Sequence, residues 1–557
     1  MKKYFPLILI LILGAILRFY HNLDISLWHD EAFSALMIRY PWGEMFYRLG
    51  LDVHPPMYYV FLRFWHYVFG NSLLSLRGFS ILFSTGTIWA AWLFTKEAFK
   101  NEKAALGAAL LVAINPFQLQ YVTEARMYTF GAFFALLAGY FLVKALHTHT
   151  STYRSEAQNM PNLPETDKYR WEMIWSYLGF TLSMIIIIYT HYYLFFTAAA
   201  LGFYGLLYLF FHHRGDWKKY LPFLISCFLA VAAFLPWLKT FLFQYSQVQA
   251  GYWIQQMDRW SIPSTFWDML IGFGRDTSNH TTQVWLVIIT LFSLWMLYRF
   301  LKKTEDFAKW LVVFAVVAPF IGAILFAVLA RLKGSSSSVY LDRYFLFASV
   351  YFSVAVAVWL KEVRPKWLST ALFVIYCLLN LIAYFHYWQQ LNVKTRPGMA
   401  AAVELLRTNV KPADKLFVAS NFMFFNFKYY WTGKEPLSSS FDVPPSAGQQ
   451  IDGNTGYEFL NGVRPLLFTN GVTKSSNISH FAGSALLSDV DLVPDLGSAA
   501  HTGDTVWLLW TNAFGGSDKP PGQVPGNWIP LVGAQYTFPE VRPYPGTNVY
   551  VTEYKVN

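Results

Sequence analysis

The segment Asp24–Tyr59 reads DISLWHDEAFSALMIRYPWGEMFYRLGLDVHPPMYY. It contains two adjacent acids, Asp30 and Glu31, and a His-Pro-Pro at positions 54–56. The apolar run 5–19 before it follows two lysines and has no clear small-residue cleavage site, which is typical of an uncleaved membrane anchor. We therefore expect this polar segment to emerge from the membrane directly after a first helical span.

The composition of the chain is that of a polytopic membrane protein. Of its 557 residues, 55% are hydrophobic and only 14% are charged. The apolar residues form continuous blocks, which indicate membrane helices rather than the alternating strands of a barrel. With roughly 20 residues needed to cross a bilayer core, about eleven spans are predicted. They cover residues 5–19, 76–94, 104–117, 129–146, 175–189, 192–211, 220–238, 284–301, 310–330, 344–360 and 367–385.

The distribution of charge predicts the orientation. The formal net charge is +10, but the lysines lie mostly at the ends of apolar blocks, where membrane topology places them, so nucleic acid is not expected as a partner. An orientation with a cytoplasmic N-terminus puts most lysines inside, and an odd number of spans then places the C-terminal region outside. Cys227 and Cys377 lie in apolar segments and indicate neither a disulfide nor a cysteine metal site.

The chain divides into two predicted domains. Residues 1–390 form the membrane domain, and residues 391–557 form a soluble α/β domain in which prolines and glycines cluster and long apolar runs stop. A helix is predicted over Gly398–Asn409. Short β-like runs occur at Lys415–Ala419, Thr505–Trp510 and Asn548–Tyr554.

The acidic pair opens an amphipathic pattern that continues to Arg48 and predicts a helix lying along the membrane interface. Because neighbouring residues on a helix point about 100° apart, Asp30 and Glu31 are not expected to share one task. One can face a reaction site while the other braces it. The alternative is a helix N-terminus whose acids only suit the macrodipole.

The His-Pro-Pro predicts a second juxtamembrane helix from near Pro56 to about Phe69, since proline fits the first helical turn. Its free N–H groups would make an anion site, with Asp52 and His54 just upstream. A plain proline-started helix without a ligand is the alternative.

Three further groups lie at predicted outer turns: Glu124, Arg126 and Tyr128; His191; and Arg343 with Tyr344. Glu124 and Tyr128 would share a face if helical. Arginine suits bidentate contacts with phosphate, and charges buried at a membrane boundary are costly enough to suggest a function. Helix caps and an aromatic belt explain the same residues without one.

Together these residues resemble the GT-C glycosyltransferases, in the branch that includes protein O-mannosyltransferases and the bacterial aminoarabinose–lipid A transferase. The motifs concerned are an Asp-Glu in the first outer loop, a His-Pro-Pro opening a later juxtamembrane helix and an outer Glu-Ala-Arg-Met-Tyr. The resemblance covers residues 1–385 and is strongest over 24–146. Where the aminoarabinose transferases carry Glu-Lys before the paired prolines, this chain has Val53-His54, similar to the mannosyltransferases.

The resemblance implies a GT-C-like catalytic membrane domain and an inverting transfer of a sugar from a polyprenyl-phosphate donor to a lipid, glycan or protein acceptor outside the cytoplasm. By family analogy Asp30 is the catalytic base and Glu31 supports it. The residues implied in substrate binding are Asp52, His54, Glu124, Arg126, Tyr128, His191, Arg343 and Tyr344.

The implied transfer reaction requires few catalytic groups. A departing phosphate needs no protonating acid, so a base on the acceptor and positive charge on the phosphate suffice. A divalent cation held by Asp30, Asp52 or His191 is compatible with this reaction, although no spacing indicates one, and no other cofactor is implied.

Two other classes of protein remain as alternatives to a glycosyltransferase. A transporter or flippase of lipid-linked sugars would place polar groups at mid-membrane, often on broken helices, whereas the ionisable residues here gather at the outer ends of spans. A non-catalytic scaffold with an outer binding domain would leave the outer acids and arginines without a purpose.

Overall fold

A computed structural model describes residues 4–157, 164–213, 217–250, 254, 256–272, 276–332, 334, 338–419, 421–432, 465–468, 492–493, 496–497, 499–513, 518–520, 524–541 and 546–557. The chain forms two compact units. The first unit contains Met1–Phe19, Ser80–Thr123 and Met127–Tyr387; the second contains Tyr20–Phe79, Glu124–Arg126 and Trp388–Asn557. The predicted domain boundary near residue 390 stays a prediction.

Eighteen α-helices occur in the described part of the chain. In order they are α1 (Phe5–Phe19), α2 (His29–Met37), α3 (Trp42–Leu51), α4 (Met57–Phe69), α5 (Leu73–Phe99), α6 (Glu102–Ile114), α7 (Pro116–Tyr121), α8 (Tyr128–Ala157), α9 (Pro164–Ile188), α10 (Leu194–His212), α11 (Leu221–Ala250), α12 (Ser261–Leu270), α13 (His280–Lys303), α14 (Lys309–Leu332), α15 (Leu346–Glu362), α16 (Lys366–Leu391), α17 (Gly398–Asn409) and α18 (Asn421–Thr432).

Within the described residues, nine helices are long and apolar enough to cross a membrane, judged by length and composition: α5, α8, α9, α10, α11, α13, α14, α15 and α16. Each matches one of the predicted spans, and α1 is apolar but has only 15 residues. The predicted span 104–117 is divided, because Asn115 precedes a proline and adopts an extended conformation between α6 and α7. The count of about eleven spans is therefore not confirmed.

In the first unit, Arg18 of α1 is fully buried and holds the end of α6. Its guanidinium group donates to the carbonyl oxygens of Val112 and Ala113 over 3.2 and 2.9 Å, which have no partner within the helix. Asn115 Oδ1 accepts from the N–H of Gln118 over 3.1 Å and caps α7. The break between α6 and α7 is thus stabilised on both sides.

In the second unit, three short helices follow one another along the chain. The single interfacial helix predicted from the acidic pair to Arg48 is wrong, since the structure divides it into α2 and α3 at Pro41, the N-cap residue of α3. Proline cannot donate the backbone hydrogen bond that a continuous helix would need there. The helix predicted from Pro56 to Phe69 is confirmed as α4.

The C-terminal part of the second unit contains a sheet whose described strands are β1 (Lys415–Val418), β2 (Pro465–Phe468), β3 (Leu492–Val493), β4 (Thr505–Thr511), β5 (Trp528–Pro539) and β6 (Asn548–Val556). Their order across the sheet is β3-β2-β1-β4-β6-β5. The first four strands of this order are parallel to one another, and β6 runs antiparallel to both β4 and β5. The predicted α/β composition, the helix now labelled α17 and the three predicted β runs are confirmed.

Candidate active site

The carboxylate of Glu31 lies in a fully buried ion pair with Arg77. Arg77 Nε and Nη2 donate to the two carboxylate oxygens, each over 2.9 Å, in the bidentate arrangement that an arginine allows. The N–H of Ala125 also donates to Glu31 Oε1 over 2.9 Å. Because a buried carboxylate is costly unless it is paired and hydrogen-bonded, these contacts fix the position of Glu31.

Arg77 also binds the backbone that leads into α2. Its Nη1 donates to the carbonyl of Ile25 over 2.9 Å, and its Nη2 to the carbonyl of Ser26 over 3.3 Å. The N–H of Trp28 donates to Glu31 Oε2 over 3.4 Å, so the third residue of α2 reaches back to the N-cap as in a capping box. The start of α2 is therefore held by Arg77 and by Glu31 together.

Asp30 has different surroundings from its neighbour. Glu31 is fully buried, whereas Asp30 is half-buried. The carbonyl oxygen of Asp30 accepts from Ser34 Oγ and from Arg126 Nη1, each over 3.2 Å. The backbone of Asp30 is thus fixed while the residue keeps access to solvent.

Arg126 connects α2 with the segment around the His-Pro-Pro. Its Nη1 donates to Ser34 Oγ and to Tyr59 Oη, each over 3.2 Å, and its Nη2 lies 3.4 Å from His54 Nε2. Because an arginine can only donate, this contact is a hydrogen bond in the tautomer of His54 that carries its proton on Nδ1. In that tautomer Nδ1 donates to Asp52 Oδ2, 2.9 Å away.

Two tyrosines of α4 complete this group. Burial raises the pKa of both Tyr58 and Tyr59, against the opposing charge of Arg126, so both phenols stay neutral. Glu124 is buried as well, and its charge further raises the pKa of Tyr58. The group therefore combines charged residues with neutral hydroxyls.

In the first unit, Tyr128, His191 and Tyr344 form an aromatic cluster. The ring of His191 lies 4.6 Å from that of Tyr344 and 6.0 Å from that of Tyr128. His191 Nδ1 accepts from the N–H of Tyr193 over 3.1 Å. The guanidinium carbon of Arg343 lies 5.8 Å from the ring centre of Tyr128 and 5.9 Å from that of Tyr344, which places an arginine beside two aromatic rings.

Comparison with known proteins identifies the fold. A sequence model of the family described as dolichyl-phosphate-mannose-protein mannosyltransferase matches residues 53–154. The structure is similar to that of ArnT from Cupriavidus metallidurans, solved bound to undecaprenyl phosphate and in the apo state. Both comparisons give a TM-score of 0.56 at 11% identity and cover 98% of this chain and 97% of the ArnT chain. This chain has a GT-C fold.

A weaker similarity is to the oligosaccharyltransferase of Archaeoglobus fulgidus, with a TM-score of 0.41 and 13% identity over 79% of this chain and 61% of that chain. The assignment of the GT-C fold does not rest on it. No curated protein matches the sequence.

Some of the predicted site residues lie in the second unit and others in the first. Those in the second unit are Asp30, Glu31, Asp52, His54, Glu124 and Arg126. Those in the first unit are Tyr128, His191, Arg343 and Tyr344. The segment between α7 and α8 is not helical, so the condition for Glu124 and Tyr128 to share a helix face is not met. The catalytic and binding roles of all ten residues stay predictions.

Sequence analysis missed three contributors to the arrangement around Asp30: Ser34, Tyr59 and Arg77. Arg77 lies 46 residues from Glu31 in the chain, so no local spacing could pair them. The one available signal was that arginine, and not lysine, is the common basic residue near the predicted outer ends of the spans.

No group of three or more His, Cys, Asp and Glu side chains that could hold a metal ion occurs among the residues the structure describes. Asp52, one of the cation candidates, is engaged with His54. A cation at Asp30, Asp52 or His191 stays a prediction, and no step below depends on one.

Proposed function

We propose that this protein is an inverting glycosyltransferase that moves one sugar, a hexose or a pentose, from a polyprenyl phosphate to an acceptor hydroxyl. The observation that carries the proposal is a half-buried Asp30 beside a fully buried Glu31, on a rigidly held helix start within a GT-C fold. A general base must reach its substrate, and the accessible acid of this pair is Asp30.

In the proposed step, Asp30 takes the proton of the acceptor hydroxyl while the acceptor oxygen forms a bond to C1 of the sugar. The bond between C1 and the phosphate oxygen breaks, and the polyprenyl phosphate leaves with the electron pair. Attack from the face opposite the leaving group inverts the configuration at C1. The phosphate departs as a stable anion, so no acid is required for it, unlike in a glycosidase.

The hydrogen bonds around Asp30 support its role as base. Asp52, His54 and Arg126 form a continuous chain that ends on the Asp30 carbonyl oxygen. Groups held by their own hydrogen bonds reorganise little during a reaction, which favours catalysis. We assign these three residues, with Glu124, to holding the base and the substrate next to it.

We assign the contact with the donor phosphate to Arg343. Its planar group can bind two phosphate oxygens at once, and the neighbouring rings of Tyr128 and Tyr344 restrict its movement. His191 packs on Tyr344 and supports that ring. The undecaprenyl phosphate bound to ArnT is a ligand of the same chemical class.

We place the reaction on the outer face of the plasma or inner membrane, with the N-terminus in the cytoplasm. The lysine distribution supports this orientation. Acceptors available there include lipids, glycans and proteins, and all three belong in the test.

The test is transfer by the purified protein in nanodiscs, from a panel of radiolabelled polyprenyl-phosphate sugars to a membrane extract. Replacing a general base typically lowers a rate about 10²- to 10⁴-fold, and we expect that loss in Asp30→Asn. The labelled product identifies the acceptor.

The matched control is Asp24→Asn, six residues earlier in the same segment. Asp24 is exposed and pairs with His21, so its loss should leave transfer unchanged. Equal transfer by wild type and Asp30→Asn would remove Asp30 as base. Absence of transfer from every donor by folded wild type would favour a transporter or a scaffold.

A further inference from the structure

Helix α18 packs against α2, the helix that contains both acids. The ring of Phe425 lies 4.7 Å from the ring of His29 and 6.2 Å from that of Phe33. His29 directly precedes Asp30 in the chain. An element of the C-terminal region thus covers one side of the helix that presents the proposed base.

A hydrogen bond connects α18 to the backbone just before α2. The N–H of Leu27 donates to Tyr430 Oη over 2.8 Å, and the two residues are 403 positions apart. Leu27 is fully buried, and an N–H at the entrance to a helix has no partner inside the helix. Without the tyrosine oxygen this donor would be buried and unsatisfied, which is costly.

Further contacts fix both ends of the same segment. Before α2, Ser26 Oγ donates to the carbonyl of Pro397 over 2.9 Å. After α2, Arg39 Nη1 donates to Thr432 Oγ1, the last residue of α18, over 2.9 Å. Residues 26–39 are therefore attached to the C-terminal region in front of the acids and behind them.

The hydroxyl of Tyr430 is a neutral acceptor. Burial is the main cause that raises the pKa of Tyr430, to about 12, and the hydrogen bond from Leu27 acts in the opposite direction. Near pH 7 the phenol therefore stays protonated, and its contact with Leu27 does not change with pH in the working range.

We propose that α18 is a positioning element for the proposed base, and that Tyr430 is its positioning residue. Arg77 donates to the carbonyls of Ile25 and Ser26, and Tyr430 accepts from the N–H of Leu27. Both the carbonyl and the N–H groups of the backbone before α2 are therefore hydrogen-bonded. The direction of the Asp30 side chain depends on the position of this backbone segment, residues 25–27. The proposal rests on the proposed function and extends it to a residue outside the membrane helices.

The test compares Tyr430→Phe with Tyr429→Phe in the full-length protein. Both variants remove one hydroxyl from α18, but that of Tyr429 donates to the carbonyl of Asn71 over 2.8 Å, whereas that of Tyr430 accepts from the N–H of Leu27 before α2. Small errors in the placement of a catalytic group reduce the rate of the chemical step, so we expect kcat of Tyr430→Phe to fall about tenfold. The KM for the donor should stay within about twofold, and Tyr429→Phe should keep the wild-type kcat.

Hydrogen exchange of the peptide containing Leu27 gives a readout that does not need activity. We expect faster exchange in Tyr430→Phe than in wild type, and no change in Tyr429→Phe. Unchanged exchange, or faster exchange with an unchanged kcat, would overturn the positioning role. An equal fall of kcat in both variants would point to general destabilisation and would overturn it too. If wild type transfers no sugar, the proposed function fails, and the positioning of a base fails with it; exchange then shows only whether Tyr430 holds the segment.

Discussion

The guanidinium group of Arg77 donates with all three of its nitrogens. Nε and Nη2 bind the carboxylate of Glu31, and Nη1 binds the carbonyl oxygens of Asn22 and Ile25. A lysine offers its donors from a single atom and cannot match this planar arrangement. The position therefore requires arginine for its geometry as well as its charge.

We expect Arg77→Lys to lower the free energy of unfolding by about 3 kcal/mol, because several buried acceptors lose their donor while the charge remains. Thermal unfolding in detergent, followed by tryptophan fluorescence, measures the shift in Tm. The control is Arg331→Lys at the exposed end of α14, which should stay within about 0.5 kcal/mol of wild type. Equal Tm values for the two variants would show that the arginine geometry is dispensable.

The prediction that Asp30 and Glu31 do not share one task rests on helix geometry, which turns neighbouring side chains about 100° apart. In the structure Asp30 is half-buried and Glu31 fully buried, and the roles of the two acids stay predictions. The partners of the segment, Arg77 and Tyr430, are 46 and 403 residues from the atoms they bind. These contacts form only when the chain folds, so no sequence spacing could predict them.

At the scale of elements, proline and glycine decided which boundaries could be predicted. Helix α4 begins after Pro56 and ends before Gly70, whose φ of 74° lies outside the helical region, so both ends could be predicted from the sequence. The apolar pattern of α2 and α3 continues through Pro41 because both helices bury apolar residues. Because the apolar pattern does not stop at Pro41, it predicted one helix where the structure has two.

One contact joins a strand to a helix through a buried carboxyl group. Glu540 follows β5, and its Oε1 accepts from the N–H of Met399 in the first turn of α17 over 2.6 Å. Gly398 has a φ of 57°, and a Cβ there would lie 2.9 Å from Glu540 Oε1, so glycine is needed for conformation and for space. Burial raises the pKa of Glu540 to about 8, against the opposing effect of the Met399 N–H.

This raised pKa predicts how stability depends on pH. In the unfolded chain the carboxyl ionises near 4.5, but in the folded protein only near 8. The stability contributed by the neutral carboxyl is therefore complete below about pH 4.5 and is lost as pH rises to about 8. In Glu540→Gln the group stays neutral, so the Tm of this variant should exceed that of wild type increasingly between pH 5 and pH 8.

The matched control for this prediction is Glu404→Gln, on the exposed face of the same helix α17. Its Tm should follow that of wild type at every pH. A Tm difference between Glu540→Gln and wild type that stays constant from pH 5 to pH 9 would show that Glu540 does not titrate in this range.

At the scale of the whole molecule, composition predicted the class of protein but not its division into units. Long apolar blocks and the polar region after residue 390 are visible in the sequence. The second unit, however, also takes in Tyr20–Phe79 and Glu124–Arg126. The buried ion pair of Glu31 with Arg77 and the contact of Phe425 with His29 lie within this unit, and composition does not reveal them.

The predicted orientation can be tested with cysteine labelling. In a variant with Cys227 and Cys377 replaced by alanine, we would introduce one cysteine at the exposed Lys519 or at Lys303, at the end of α13. An odd number of spans with a cytoplasmic N-terminus puts residue 519 outside and residue 303 inside. A membrane-impermeant maleimide should therefore label position 519 in intact cells and position 303 only after permeabilisation.

The reversed labelling pattern would place the N-terminus outside. Labelling of both positions in intact cells would show that the number of spans between them is even, contrary to the prediction. The cysteine-free parent measures background labelling in the same experiment.

The discontinuity of the second unit sets an order of events during protein synthesis. Residues 20–79 leave the ribosome long before residue 388, the start of the longest segment of the same unit. Until α18 has been translated, Leu27 has no acceptor from Tyr430, and Phe425 is not there to cover His29. The nascent chain can therefore insert its first helices while α2 still lacks its contacts with α18. We expect a chain that stops before α18 to insert into the membrane but to lack the proposed transferase activity.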